Sequence, residues 1–238
     1  MWRYFISIIF IAAGWGCKLQ AQDTIMFPLK LRAGLDLMGA SKYFYDKGNA
    51  NLEVFFSADR NEKLSAIFIA GKGDYAYSRC RDDSFMMYDF NSKGIYFKTG
   101  VDFNLLNPKK AAGKYSFGVG LRYGVTNYSY DATEINFENY WGRYQTSIQK
   151  NRAWGHYLEA APTIRAEVFK NLSLGWSVSI KKLISSGTGK DIKPVYIPGY
   201  GDGSKSFSFA LNYSIMWSKQ YKEKRVIIHP REDETEPE

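Results

Sequence analysis

Cysteine is nearly missing from this chain: Cys17 and Cys80 are the only two in 238 residues. A disulfide-stapled scaffold is excluded. Histidine is as scarce, with only His156 and His229, so a nucleophile paired with a histidine base has few candidates. Beyond residue 21 no apolar run reaches the 18 residues that a membrane-crossing helix needs. Phosphate-binding signatures are missing too. Gly199-Tyr200-Gly201-Asp202-Gly203 has neither the Lys-Ser/Thr of a P-loop nor a dinucleotide fingerprint, and reads as turn chemistry. Asp82, Asp83 and Asp89 lack the spacing of a calcium loop. A protein without metal or cofactor is expected.

What is present begins with an export signal. Residues 1–21 carry Arg3 and then an apolar stretch, Phe5-Ile6-Ser7-Ile8-Ile9-Phe10-Ile11, too short to span a bilayer. Cleavage is expected after Ala21. Lipidation of Cys17 is the alternative, although Gly14-Trp15-Gly16 lacks the Leu-like residue of a lipobox. Removing residues 1–21 takes away Arg3 and Lys18 and leaves 30 basic against 24 acidic residues. Cys80, in the polar stretch 78–83, is then the lone thiol and reads as incidental. In an exported protein a basic surface points to lipid phosphates rather than to nucleic acid.

The mature chain is rich in aromatics (17%) and has 21 glycines overall, a mix that suits all-β architecture. Its dominant signal is strict alternation. In Tyr115–Thr126, Tyr115, Phe117, Val119, Leu121, Tyr123 and Val125 share one face. Ser116, Gly118, Gly120, Arg122, Gly124 and Thr126 share the other. A strand reverses its side chains at every residue, so one face is an apolar wall and the other is polar. The same pattern runs through Leu29–Leu37, Leu52–Asp59, Leu64–Gly71, Ile95–Leu105, Leu158–Val168, Leu172–Ile180 and Phe207–Trp217. Leu64–Gly71 is the least clear, because Ile67 and Ile69 make its second face apolar as well.

Eight segments, mostly of nine to eleven residues, match tilted membrane-crossing strands. Their connections alternate. Met38–Asn51, Lys72–Gly94, Asn127–Tyr157 and Lys181–Ser206 are long; the others are shorter. Long loops on one side and short turns on the other fit a barrel with both termini on the short-turn, periplasmic side. A hairpin inside Asn127–Tyr157 would make ten strands. Pro162, inside a segment of a barrel without edges, predicts a bulge or a broken ladder bond. The expected organisation is a signal over 1–21, a barrel over 22–218 and a charged periplasmic tail over 219–238.

Gly100-Val101-Asp102-Phe103-Asn104-Leu105-Leu106 and Gly118-Val119-Gly120-Leu121-Arg122-Tyr123-Gly124, with the signal and a last segment of the Phe207–Trp217 type, resemble the small outer-membrane β-barrel proteins of Gram-negative bacteria. The likeness is to OmpA/OmpX-like, porin-family-like chains and covers residues 28 to about 218. It implies an all-β, eight-stranded antiparallel transmembrane up-and-down β-barrel in the outer membrane. Outer-membrane lipid and lipopolysaccharide would be its surroundings. No motif in the resemblance fixes an activity.

With hydrocarbon outside, the charged face must point inward. It carries Lys30, Arg32, Lys98, Arg122, Arg165 and Lys181 against Asp36, Glu53, Asp59, Asp102, Glu159 and Glu167. Eight strands enclose little more than their own side chains. These charges are therefore expected to form a polar network that plugs the lumen, in a protein with a structural or surface-interaction role. A narrow channel for small solutes is the alternative, with room left by Gly100, Gly118, Gly120, Gly124 and Gly175. A soluble lipocalin-type carrier, with the apolar wall inside, is the other. The long loops are crowded with aromatics, including Tyr43, Phe44, Tyr75, Tyr77, Tyr128 and Tyr130, which suit an interfacial girdle or a surface ligand site. His156 lies near a rim beside Glu159, without a nucleophile at enzymatic spacing, and no enzyme is expected.

Overall fold

The computed structural model describes residues 29–60, 63–79, 86–106, 114–139, 142–188 and 193–221. The export signal, Cys17, Cys80, Asp82, Asp83, His229 and most of the charged tail lie outside them. The strands are β1 (Lys30–Asp36), β2 (Asn51–Arg60), β3 (Leu64–Arg79), β4 (Met86–Asn104), β5 (Tyr115–Asn139), β6 (Gly142–Phe169), β7 (Leu172–Ser185), β8 (Tyr196–Ile197), β9 (Gly201–Asp202) and β10 (Phe207–Gln220). A helix, α1 (Leu37–Tyr45), follows β1, with a short 3-10 turn over Lys47–Asn49 after it. Eight of the strands close into a barrel in the order β1-β10-β7-β6-β5-β4-β3-β2. Every neighbouring pair is antiparallel, and β1 closes on β10 with Lys30 opposite Gln220. Both barrel ends of the chain thus leave on the side of the short turns. No helix among the described residues is long and apolar enough to cross a membrane.

Alternation decides which way each residue faces. On β5, Tyr115, Phe117, Leu121 and Tyr123 are exposed on the outside, and Gly118, Gly120, Arg122, Gly124 and Thr126 are buried inside. Leu158, Ile164, Trp176, Phe209, Leu211 and Trp217 continue the exposed apolar wall around the barrel. This polarity suits a barrel wrapped in hydrocarbon. It is opposite to a lipocalin-type carrier, whose apolar wall must face its cavity. From Tyr115 to Val125, ten steps of about 3.3 Å tilted by about 40° give a band about 25 Å tall.

Two of the predicted long loops are not loops. β5 and β6 run on to Asn139 and Gly142 as one paired hairpin, and β3 and β4 continue to Arg79 and Met86. The hairpin in 127–157 therefore lengthens two strands and adds none, so the count stays at eight. Above the band the alternation persists while its polarity reverses. Asn127, Ser129 and Asp131 point outward; Tyr128, Tyr130 and Ala132 point inward and are buried. They join Phe90, Ala153, Tyr157, Ile197 and Tyr200 in an apolar core inside the upper barrel. Tyr128 and Tyr130 are thus core, not girdle. Water outside and an enclosed interior reverse the demand on each face.

Pro162 leaves the β5 ladder in register, opposite Val119. On its other side the β6–β7 pairing skips from Ala160–Ile180 to Thr163–Ser177 without changing register. The outcome is an interrupted ladder with no bulge, because proline lacks the N–H that would donate to β7.

Candidate functional site

The lumen holds the inward charges in a chain of alternating sign. Lys98 Nζ lies 2.8 Å from Glu53 Oε1 and 3.2 Å from Glu159 Oε2. Arg122 Nη1 reaches Glu159 Oε1 at 2.9 Å, and its Nη2 reaches Asp102 Oδ1 at 3.2 Å. Arg165 Nη2 stands 4.0 Å from Asp102 Oδ2. Ser179 Oγ donates to Glu159 at 3.1 Å, and the Tyr96 hydroxyl lies 2.8 Å from Glu53 Oε1. The chain therefore crosses the lumen from β2 through β4, β6 and β5. Nearer the short turns, Lys30 pairs with Glu167 at 3.6 Å and Arg32 pairs with Asp59. Buried charges are tolerated when paired, and each of these has an opposite charge within 4.0 Å.

Two inward charges take other work. Asp36 caps α1: its carboxylate accepts from the backbone N–H of Met38 and Gly39, and from Tyr213 N–H at 3.1 Å. A helix start needs such an acceptor, so the stretch after β1 is helical where a loop was expected. Lys181 donates to the Gly199 carbonyl oxygen at 2.7 Å.

That bond belongs to the largest departure from the sequence reading. The chain between β7 and β10 folds inward over the mouth. Pro194, Ile197, Pro198, Gly199 and Tyr200 are buried, and β8 pairs with β9 to hold the turn. Gly199 takes φ of 78° and lies against the rings of Tyr96 and Tyr157, where a side chain would collide. The glycine-rich stretch is turn chemistry in service of a plug. At its exposed tip Asp202 is partly buried, but hydrogen bonds from Ser204 and Lys205 hold its carboxyl below the ordinary range.

The room expected beside the inward glycines is filled: the Tyr157 ring occupies the space at Gly124 and the Asp102 carboxylate that at Gly120. Ile67 and Ile69 also point inward, forming an apolar cluster with Phe55 and Met216. The lumen is thus ionic on one wall and greasy on the other. His156 faces outward, 2.9 Å from the Tyr123 hydroxyl. Glu159 points into the lumen, so the two do not form an acid–base pair. Among the described residues no cluster of three or more His, Cys, Asp or Glu could hold a metal.

A family profile described as Domain of unknown function (DUF6048) matches residues 1–219. The chain belongs to the DUF6048 family. No curated protein matches this DUF6048 chain. Among solved structures it is similar to a major outer membrane protein from Thermus thermophilus, at 9% identity over 81% of this chain and 99% of that one, with a TM-score of 0.47. It is similar to CarO2 of Acinetobacter baumannii, at 13% identity over 82% and 99%, TM-score 0.40. It is also similar to Ail, the attachment invasion locus protein of Yersinia pestis, solved with the heparin analogue sucrose octasulfate, at 10% identity over 81% and 97%, TM-score 0.39.

Proposed function

We propose that this protein is an integral outer-membrane barrel that holds a rigid platform at the cell surface and does not act as an open pore. The observation that carries this reading is the double closure of the lumen: an ion-pair chain from Glu53 to Arg165, and above it the inward-folded segment around Gly199. The β3–β4 and β5–β6 hairpins rise beyond the apolar band and form the platform. Both termini lie in the periplasm and the hairpins face the medium. Lys93 and Arg152, exposed on the outer face just above the band, meet the phosphates of outer-leaflet lipid and lipopolysaccharide.

The test is electrical. Purified folded protein inserted into planar bilayers gives no conductance steps above baseline. Regular steps from the unaltered protein would overturn this reading in favour of a narrow channel. One observation favours that second reading: the mid-lumen cavity shares Asp36 and Asn212 with the outer cavity and Asp102, Thr163 and Arg165 with the inner one. A path blocked by side chains alone would conduct in Arg122→Ala.

A further inference from the structure

Five basic side chains are buried among the described residues: Lys30, Arg32, Lys98, Arg122 and Lys181. Four of them pair with carboxylates. Lys181 does not. It is 5% exposed, and its hydrogen bond goes to a neutral carbonyl, that of Gly199. An ammonium has three donors, and one has a partner here. Glu159, across the strand pair, and Glu53 act on Lys181 only from beyond contact distance. Both are already engaged by Lys98 or Arg122, so donors are left for an incoming anion. Lys181 lines a cavity of about 350 Å³ at the outer mouth, between α1, the plug and β10. The carboxylate in that cavity, Asp36, is already satisfied by three backbone N–H groups. Lys42 adds a second positive charge at the cavity's edge.

We propose that this outer mouth binds a small organic carboxylate, with its anionic group on Lys181. The volume, about a dozen water-sized groups, leaves room for a ligand body beyond its anionic group. The walls give the ligand a body. Tyr75 and Tyr196, stacked at 4.4 Å between ring centroids, line the cavity, while Ser208 and Asn212 supply neutral polar contacts. An aromatic or short aliphatic acid satisfies both parts. The site lies above the ion-pair chain, so it stands whether or not the lumen conducts.

Benzoate, acetate and inorganic phosphate are the probes, titrated calorimetrically into the folded protein in detergent at constant ionic strength. Benzoate binds saturably, one per barrel, at least tenfold more tightly than phosphate. Lys181→Met weakens benzoate at least tenfold, whereas Lys182→Met, on the exposed outer face, leaves it unchanged. Each variant is first checked for the fast-migrating unheated gel band of a closed barrel. If Lys181→Met loses that band, Tyr196→Ala carries the test, weakening benzoate severalfold while sparing acetate. No saturable benzoate binding, equal affinity in Lys181→Met, phosphate binding as tight as benzoate, or an indifferent Tyr196→Ala each overturns the proposal.

Discussion

Glu159 touches Lys98, Arg122 and Ser179 at once, so it is the joint of the lumen network. Replacing it with alanine leaves two buried cations each short of a partner. Removing one member of a buried ion pair costs about 3–5 kcal/mol, and Glu159→Ala should lose that much in urea unfolding from lipid vesicles. Asp202→Asn, at the exposed ion pair with Lys205, should change it by less than about 1 kcal/mol. Which residues face inward was legible from alternation alone. Which of them would pair was not, because pairing depends on cross-strand neighbours that a single strand does not reveal. Ile67 and Ile69 illustrate the limit: polarity marks the inward face elsewhere, but here two apolar residues occupy it. Asp36 illustrates another, since the same carboxylate can serve an ion pair or a helix start.

At the scale of elements, the membrane-crossing spans were readable and the extramembrane ones were not. The outer face turns polar near Thr126 and Tyr157, although the strands continue. Backbone pairing does not depend on polarity, so the hairpins outrun their own signal. The plug gave still less warning, because an irregular segment has no period. Its anchor can be tested. Gly199→Val meets both a positive φ and the Tyr96 and Tyr157 rings, a strain of about 1–3 kcal/mol. It should speed proteolysis within residues 193–205 several-fold. The gel shift of the closed barrel should persist, because the plug adds no strand to the ring. Loss of the shift would mean that the plug is required for closure.

For the whole molecule, the proposed contact between the basic residues above the apolar band and lipid phosphates can be tested. Lys93 and Arg152 flank Ser129 in one cross-strand row, directly over exposed Ile95 and Trp154. Lys93→Glu/Arg152→Glu should lower the urea midpoint in vesicles containing lipopolysaccharide but leave it unchanged in neutral phosphatidylcholine. The difference should shrink with added salt, as exposed charges are screened over about 10 Å at 0.1 M. Equal behaviour in both vesicles would remove the headgroup contact.

The β4, β5 and β6 ladders keep one register from within the band to Tyr130, with no bulge where the polarity reverses. A partner gripping the hairpin tips would therefore pull on a mast and not on a leash. Load would run down the strands as shear, shared by many hydrogen bonds at once, and reach the membrane without first uncoiling slack.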